Sequence, residues 1–396
     1  MKSAWRQFQR SVLPCGIPFS WRQLSIERLR LAAAVAGIAF ASVMMLMQLG
    51  FHDALYRSAT LFHSQLAGDL VLISTEYESL ISTRSFTQHR LYQALQLADV
   101  ESFAPVLLGS GPWKNPESGK TRMIFVIGVD PSRTTFTTPE IQSALGHLKT
   151  RDAVLFDAES RAEFGPVAAW LTGGREVNSE LANQRVHVGG VYHMGAGFAA
   201  DGVLLTSDFT FLKALGDRTA GMIDMGILRL KSGVNPARAR DALQRALPAD
   251  VRVLTRDQLV QAEIDYWAKR TPIGFVISAG MLIGFIVGGV IVYQILYTDV
   301  TDHLAEYATL KALGYSDRSL FGVVLQQAII LSALGFLPAT FLASLIFLAT
   351  RKFAMLPAWL TWDRTGLVFL LTLTMCAAAG AFATRKLRSA DPAEVF

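Results

Sequence analysis

Ser118-Gly119-Lys120-Thr121 ends in the order of a phosphate-binding loop, so ATP chemistry is the first reaction these residue types suggest. Such a loop cradles phosphates with backbone N–H groups and needs another glycine five residues before Gly119, where the chain has Lys114. The tetrapeptide therefore reads as a surface turn between strands. His187 and His193 fall on one face of a strand, the first requirement of a metal site, but no third ligand of suitable spacing accompanies them. Ser, His and Asp all occur, without the G-x-S-x-G turn that exposes a nucleophile. The two cysteines, Cys15 and Cys376, make neither a disulfide framework nor a cysteine metal site. No catalytic residue, metal ligand set or cofactor site is expected, and any energy source must sit on another polypeptide.

What holds these residues is set by composition. The chain of 396 residues is 51% hydrophobic and 17% charged, with a mean hydropathy of +0.33, which lies outside the soluble range. The excess sits in four runs, Leu31 to Leu49, Pro272 to Tyr297, Leu320 to Ala349 and Leu367 to Ala383, none containing Asp, Glu, Lys or Arg. Each is near the roughly 20 residues a helix needs to cross a hydrocarbon core of about 30 Å. Ala39-Phe40-Ala41 imitates a signal-peptide cleavage site, but the apolar run continues past it, which favours an uncleaved span.

The net charge of +5 and pI near 9.2 matter here through position, and they do not imply a nucleic-acid partner. Lys2, Arg6, Arg10, Arg22, Arg28 and Arg30 precede the first span, and Arg385, Lys386 and Arg388 follow the last. Positive residues favour the cytoplasmic side, so both termini are expected inside and the long segment between the first two spans outside. Arg351, Lys352 and Arg364, in the loop after the third span, weaken this asymmetry without reversing it. The expected organisation begins with a cytoplasmic segment 1–30, whose Trp21, Leu24, Ile26 and Leu29 among arginines suit a helix lying at the lipid surface. A first span 31–50, an extracytoplasmic domain 51–270, a second span 271–297 and a cytoplasmic loop 298–319 follow. A third span 320–349, an outer loop 350–365, a fourth span 366–384 and a cytoplasmic tail 385–396 complete the chain. The fold class is thus a four-helix membrane protein with a large extracytoplasmic α+β domain inserted after its first helix.

Within that domain Leu55, Tyr56, Leu61 and Phe62 recur at helical spacing, so the first span is expected to continue outward as a stalk. Asp69 to Ser74, Met123 to Gly128 and Arg185 to Val191 read as strands. Gly226 to Lys231, a helix capped by Asn235-Pro236 and running from Ala237 to Leu247, and Val251 to Leu254 make a βαβ unit of ferredoxin-like type. Asp257 to Lys269 is expected as a returning helix that runs directly into the second span. In that span Gly280, Gly284 and Gly288 recur every four residues and let another helix approach closely, from the same chain or across a dimer. Gln294, Gln326 and Gln327 are expected to face protein or a wet cavity.

The cytoplasmic loop carries an amphipathic helical pattern, D-H-L-A-E-Y-A-T-L-K-A-L-G, with Gly314 as its terminator. It fits either the lipid surface or a groove on a cytosolic partner. Glu306-Tyr307-Ala308-Thr309-Leu310-Lys311-Ala312-Leu313-Gly314 resembles the coupling helix of ABC permeases of the FtsX and MacB type, and Asp391-Pro392-Ala393-Glu394 resembles the end of that family. Tyr266-Trp267, Thr271 to Phe275, Ile291 to Val300, and Asp201-Gly202 with Ser207-Asp208 resemble the DevC branch. The resemblance implies a MacB-like periplasmic domain and an ATPase-coupling role for Glu306, Tyr307, Leu310, Lys311, Leu313 and Gly314. It also implies a homodimer in the inner membrane, a cytosolic ABC ATPase that binds ATP and magnesium, a periplasmic membrane-fusion adaptor and an outer-membrane channel. MacB carries its ATPase on the same chain and this sequence does not, which favours a DevC-like or lipoprotein-releasing organisation. An FtsX-like regulator of a cell-wall hydrolase is the main alternative. A sensory receptor would need an inner signalling module that these short inner segments do not contain.

Overall fold

The computed structural model describes residues 28–97, 99–195, 200–216, 219–302, 317–354 and 358–383. Helix α1 (Arg28–Ser64) begins just before the first apolar run and continues well beyond it. By packing, the chain divides into a helical unit, made of residues up to Asp53, Phe275–Phe353 and those from Ala358, and an inserted domain built on Ala54–Gly274.

The inserted domain runs β1 (Leu70–Ser74), β2 (Phe86–Thr87), α2 (His89–Leu95), β3 (Val100–Lys114), β4 (Thr121–Val129), α3 (Pro139–Ala144), β5 (Ala153–Asp157), α4 (Val167–Thr172) and β6 (Asn178–Leu181). It continues with β7 (Gln184–Tyr192), β8 (Val203–Ser207), α5 (Asp208–Leu215), β9 (Met222–Ile223), β10 (Met225–Leu230), α6 (Pro236–Ala246), β11 (Val251–Thr255) and α7 (Arg256–Asp265). β1 lies antiparallel between β10 and β11, with Leu70 opposite Leu228 on one side and Thr255 on the other. β10 in turn pairs antiparallel with β3. The order β11-β1-β10-β3 means that β1-α2-β3 and β10-α6-β11 each step over one strand. Two split βαβ units therefore interlock in the ferredoxin-like manner, and everything between β3 and β10 is an insertion into that frame.

The insertion grows from the far half of β3. Val106 to Lys114 pair with β4, and the sheet continues β4-β8-β5-β7-β6 until Leu181 of β6 meets Trp113 of β3 and closes the six strands on themselves. Trp113 is fully buried at this closure and donates its indole N–H to the Phe164 carbonyl at 3.1 Å. β4 with β8 and β5 with β7 are parallel, so this part of the sheet is mixed.

Helix boundaries follow local chemistry. The Asn235 side chain accepts from the N–H groups of Ala237 and Arg238, with Pro236 in the first helical position of α6. Thr255 and Gln258 form a reciprocal capping box that turns β11 into α7 without a loop.

Every residue of β1 is buried, because both faces of the sheet are covered here. Leu70 and Leu72 join Leu91 and Ala94 of α2 and Ala239 and Leu243 of α6. Val71 and Ile73 join Phe62 and Leu66 at the end of the first helix and Leu259 of α7. Gly226 admits α2 on this sheet, since a Cβ there would fall 2.2 Å from Leu91 Cδ2.

Among the described residues the helical unit has three further helices: α8 (Pro272–Asp302), α9 (Asp317–Ala354) and α10 (Trp362–Ala383). With α1 they are four helices long and apolar enough to cross a membrane. α8 and α9 extend beyond the apolar runs at their ends, and α9 carries Pro338 within it, which spanning helices tolerate.

Leu72→Ala removes a fully buried side chain from the central strand and is expected to cost the inserted domain about 2–5 kcal/mol. Thermal unfolding of the purified chain followed by near-UV circular dichroism checks this loss.

Candidate functional site: the linkage within the inserted domain

The segments that enter and leave the inserted domain are its continuous connections to the helical unit. The entering segment is the last part of α1, and the leaving segment is α7 followed by a π-helical turn, Tyr266–Arg270. A π turn is a common mark of a functional position in a helix.

The expectation that α7 runs directly into the next span is corrected here. Thr271 is extended, with φ −108° and ψ 150°, and helix α8 starts afresh at Pro272. The cause is local: the proline ring disfavours helical backbone in the residue before it and is well suited to open the next helix. Thr271 Oγ1 donates to the Trp267 carbonyl at 2.7 Å, which closes the turn. Gly274 admits the Ala268 carbonyl so closely that an added Cβ would lie 2.3 Å from its oxygen.

The entering and leaving segments meet at a buried polar cluster. His63 of α1 and Glu263 of α7 are both fully buried, and Tyr77, from the segment after β1, lies beside them. Glu263 Oε1 accepts from Trp267 Nε1 at 3.0 Å, and Oε2 accepts from the Leu80 N–H at 3.0 Å and the Tyr77 hydroxyl at 3.2 Å. His63 Nε2 lies 3.1 Å from the Tyr77 hydroxyl and 3.7 Å from Glu263 Oε2. Among the described residues no lysine or arginine makes an ion pair with Glu263. Burial pushes its carboxyl up to about 7, against the opposing effect of its three donors. Burial pushes His63 down to about 4, opposed by the nearby Ala59 carbonyl, and raises Tyr77 well above the ordinary phenol value. Both His63 and Glu263 therefore favour their neutral forms.

The residues singled out for chemistry in the sequence are elsewhere. Ser118 to Lys120 belong to the turn between β3 and β4, in which the Asn115 side chain accepts from the N–H groups of Glu117 and Ser118 and Gly119 has φ +69°, and Thr121 opens β4. His187 contacts Asn178 at 3.1 Å and His193 contacts Glu140 at 2.7 Å, so the two histidines have separate partners. Among the described residues no three His, Cys, Asp or Glu side chains are grouped to hold a metal. Glu306, Tyr307, Leu310, Lys311, Leu313 and Gly314, like residues 1–27 of the N-terminal segment and Asp391 to Glu394, lie outside the described residues, and Leu29 is an exposed residue in the first turn of α1.

In the helical unit, the glycine face of α8 is filled by α1 of the same chain. A Cβ at Gly280 would lie 2.3 Å from Gln48 Nε2, at Gly284 3.3 Å from Met44 Cβ, and at Gly288 2.4 Å from Ala41 Cβ. The hydroxyls of Ser42 and Thr372 are 3.0 Å apart and join α1 to α10. Arg30 pairs with Asp302 at 2.6 Å, tying α1 to the far end of α8, and Arg364 pairs with Asp53. Gln327 is buried, whereas Gln294 and Gln326 are exposed on the isolated chain.

These observations define a multi-pass membrane protein with one large α/β domain inserted after its first helix. Comparison with known families agrees: residues 31–246 match the MacB-like periplasmic core domain and residues 278–392 the FtsX-like permease C-terminal domain. The chain belongs to the FtsX/MacB type of ABC permease, the membrane component of ABC transporters. No curated protein matches it. Among solved structures it is similar to the periplasmic region of MacB from Actinobacillus actinomycetemcomitans, with 12% identity over 50% of this chain and 92% of that one and a TM-score of 0.35. It is also similar to the extracellular domain of the noncanonic ABC-type transporter YknZ from Gram-positive bacteria, with 13% identity over 47% of this chain and 99% of that one and a TM-score of 0.31. A permease-protein domain from Porphyromonas gingivalis gives 16% identity over 48% of this chain and 88% of that one, with a TM-score of 0.28.

Gly288→Ala places a methyl against Ala41 and is expected to lower the stability of the helical unit by about 1–3 kcal/mol. Gly366→Ala meets open space and serves as the control, and the thermal midpoints of both variants in detergent check the difference.

Proposed function

We propose that this chain is the membrane subunit of an ABC exporter whose ATPase is a separate polypeptide. Permeases of this type work with an ABC ATPase partner, and the family assignment supports that partnership here. The observation that carries the export reading is the clamping of one ferredoxin-like sheet by the end of α1 and by α7, the two segments that enter and leave the inserted domain. An ATPase cycle felt at the cytoplasmic loop is thereby relayed to the domain outside, where substrate is handled.

In this reading Glu306, Tyr307, Leu310, Lys311, Leu313 and Gly314 dock on the ATPase. The chain works as a homodimer in the inner membrane, with both termini in the cytoplasm. A periplasmic adaptor and an outer-membrane channel complete the export path, and ATP and magnesium are bound by the partner. The inserted domain, from Ala54 to Gly274, is large enough for substrate and adaptor contacts, which favours export over regulation of a cell-wall hydrolase.

Co-purification in detergent with the candidate ATPase tests this reading. Wild type is expected to retain the ATPase, and a chain with residues 306–314 replaced by a glycine-serine linker is expected to lose it. Glu306→Lys and Gly314→Pro are expected to leave the chain folded while uncoupling ATP hydrolysis from export. Retention of the ATPase by the linker chain, or unchanged export in both point variants, overturns the coupling assignment.

A further inference from the structure

Glu263 is a fully buried carboxyl group that receives three donors and has no lysine or arginine in ion-pair contact among the described residues. Its neighbours explain how such a group is tolerated. Tyr77 stands between Glu263 and His63, with its hydroxyl 3.2 Å from the carboxyl oxygen and 3.1 Å from the imidazole Nε2. A hydroxyl both gives and accepts, so the chain of three side chains has two proton arrangements of the same shape. With Glu263 ionised, Tyr77 donates to it and the phenol oxygen accepts from His63 Nε2. With Glu263 protonated, its O–H donates to the phenol oxygen, Tyr77 donates to His63 Nε2, and the ring proton sits on the buried Nδ1, near the Ala59 carbonyl but without a formed hydrogen bond.

We propose that Glu263, Tyr77 and His63 form a proton site that latches α7 to α1, holding one proton on Glu263 when the two segments are together and passing it to His63 when they part. The oxygen of Glu263 loses the proton and the imidazole gains it, through Tyr77 or water, so no other reactant is needed. The proposal concerns the chain alone and stands apart from the exporter reading.

The other charged groups on the surrounding elements leave this pair in control. Glu78 pairs with Arg270 at 3.3 Å, Asp265 with Lys269 at 3.2 Å and Glu76 with Arg84 at 3.7 Å, all on the surface. Arg252 of β11 donates to the Tyr77 carbonyl at 3.0 Å. Tyr56 of α1 is raised by burial and then by Asp265, so it stays neutral.

The sign of the pH dependence follows. In the closed form Glu263 keeps its proton up to about 7 and His63 takes one only below about 4, whereas in water the two would titrate near 4.5 and 6.5. Between 4.5 and 6.5 the closed form therefore carries one proton on Glu263 and the open form one on His63. Opening then moves a proton within the pair and exchanges none with solvent, so the latch is insensitive to pH there. Removing either partner exposes the other. Glu263→Gln leaves His63, whose lowered value makes closure weaken as pH falls from 6.5 through 4. His63→Gln leaves Glu263, whose raised value makes closure weaken as pH rises from 4.5 through 7.

Hydrogen exchange on the full chain in lipid nanodiscs, corrected for intrinsic rates, reads this latch in peptides covering residues 55–66 and 256–274. Wild-type protection is expected to change less than about threefold between pH 5 and 6.5. Glu263→Gln is expected to lose protection toward low pH and His63→Gln toward high pH, each by up to about a hundredfold. Slopes of the same sign in both variants, or two variants that track wild type, overturn the proposal. Should a variant fail to fold, a wild-type change of more than about tenfold between pH 5 and 6.5 overturns it on its own.

Discussion

The inserted domain depends on a strand with two covered faces. β1 is five residues long and wholly buried, and its alternate side chains enter two different cores. Burying a large aliphatic side chain contributes roughly 1.5–3 kcal/mol, so both layers hold to this strand strongly. One layer contains α2 and α6, and the other contains the end of α1 and α7. A displacement of either flanking segment therefore acts first on β1, then on β10 and β11 through their ladders. From β10 it passes to β3, which is continuous with the closed six-stranded sheet.

Parts of this arrangement were legible in the sequence because they are local. Leu70 to Ser74 lacks the alternation of a half-buried strand, as expected when both faces are covered. Asn235-Pro236 announces its helix by cap chemistry alone. β3 was not legible, because Pro105, Gly109, Gly111 and Pro112 read as breaks. The structure accommodates two of them specifically: Pro105 lies opposite Gly226, and Gly109 lies under Phe211, where a Cβ would be only 3.0 Å from the ring. The interlocked frame was also hidden, since its two βαβ units are separated by the whole insertion and the sequence shows just the second. The cluster of His63, Tyr77 and Glu263 has no short motif, and only the fold brings the three together. The Thr271-Pro272 break, by contrast, is local, since a residue before proline disfavours helical backbone.

Packing in the helical unit rests on a different economy. Lipid is as apolar as a leucine side chain, so helices associate through close fit and a few polar contacts. α8 supplies the fit with Gly280, Gly284 and Gly288, and α1 fills the groove with Gln48, Met44 and Ala41. Three arginines near helix ends have partners. Arg30 meets Asp302, Arg364 meets Asp53, and the Arg351 guanidinium lies 3.9 Å from the Trp359 ring centroid. The cations that complicated the charge pattern of the sequence thus include two whose charge is answered within the unit itself.

The two connections into the inserted domain are mechanically unequal. α1 is a single helix from Arg28 to Ser64, with unbroken backbone hydrogen bonding between the apolar run and His63. The return has a π turn, an extended Thr271 and a new helix start within a few residues. A continuous helix transmits bending and rotation along its axis, whereas an extended residue between two helices absorbs rotation in its two backbone dihedrals. The entering segment is thus the stiffer of the two, and Thr271 marks where the helical backbone of the leaving segment is interrupted. Trp267 ties this interruption to the buried cluster, because its indole N–H donates to Glu263 while its carbonyl accepts from Thr271. The buried carboxyl group is thus joined through a single residue to the turn at Thr271.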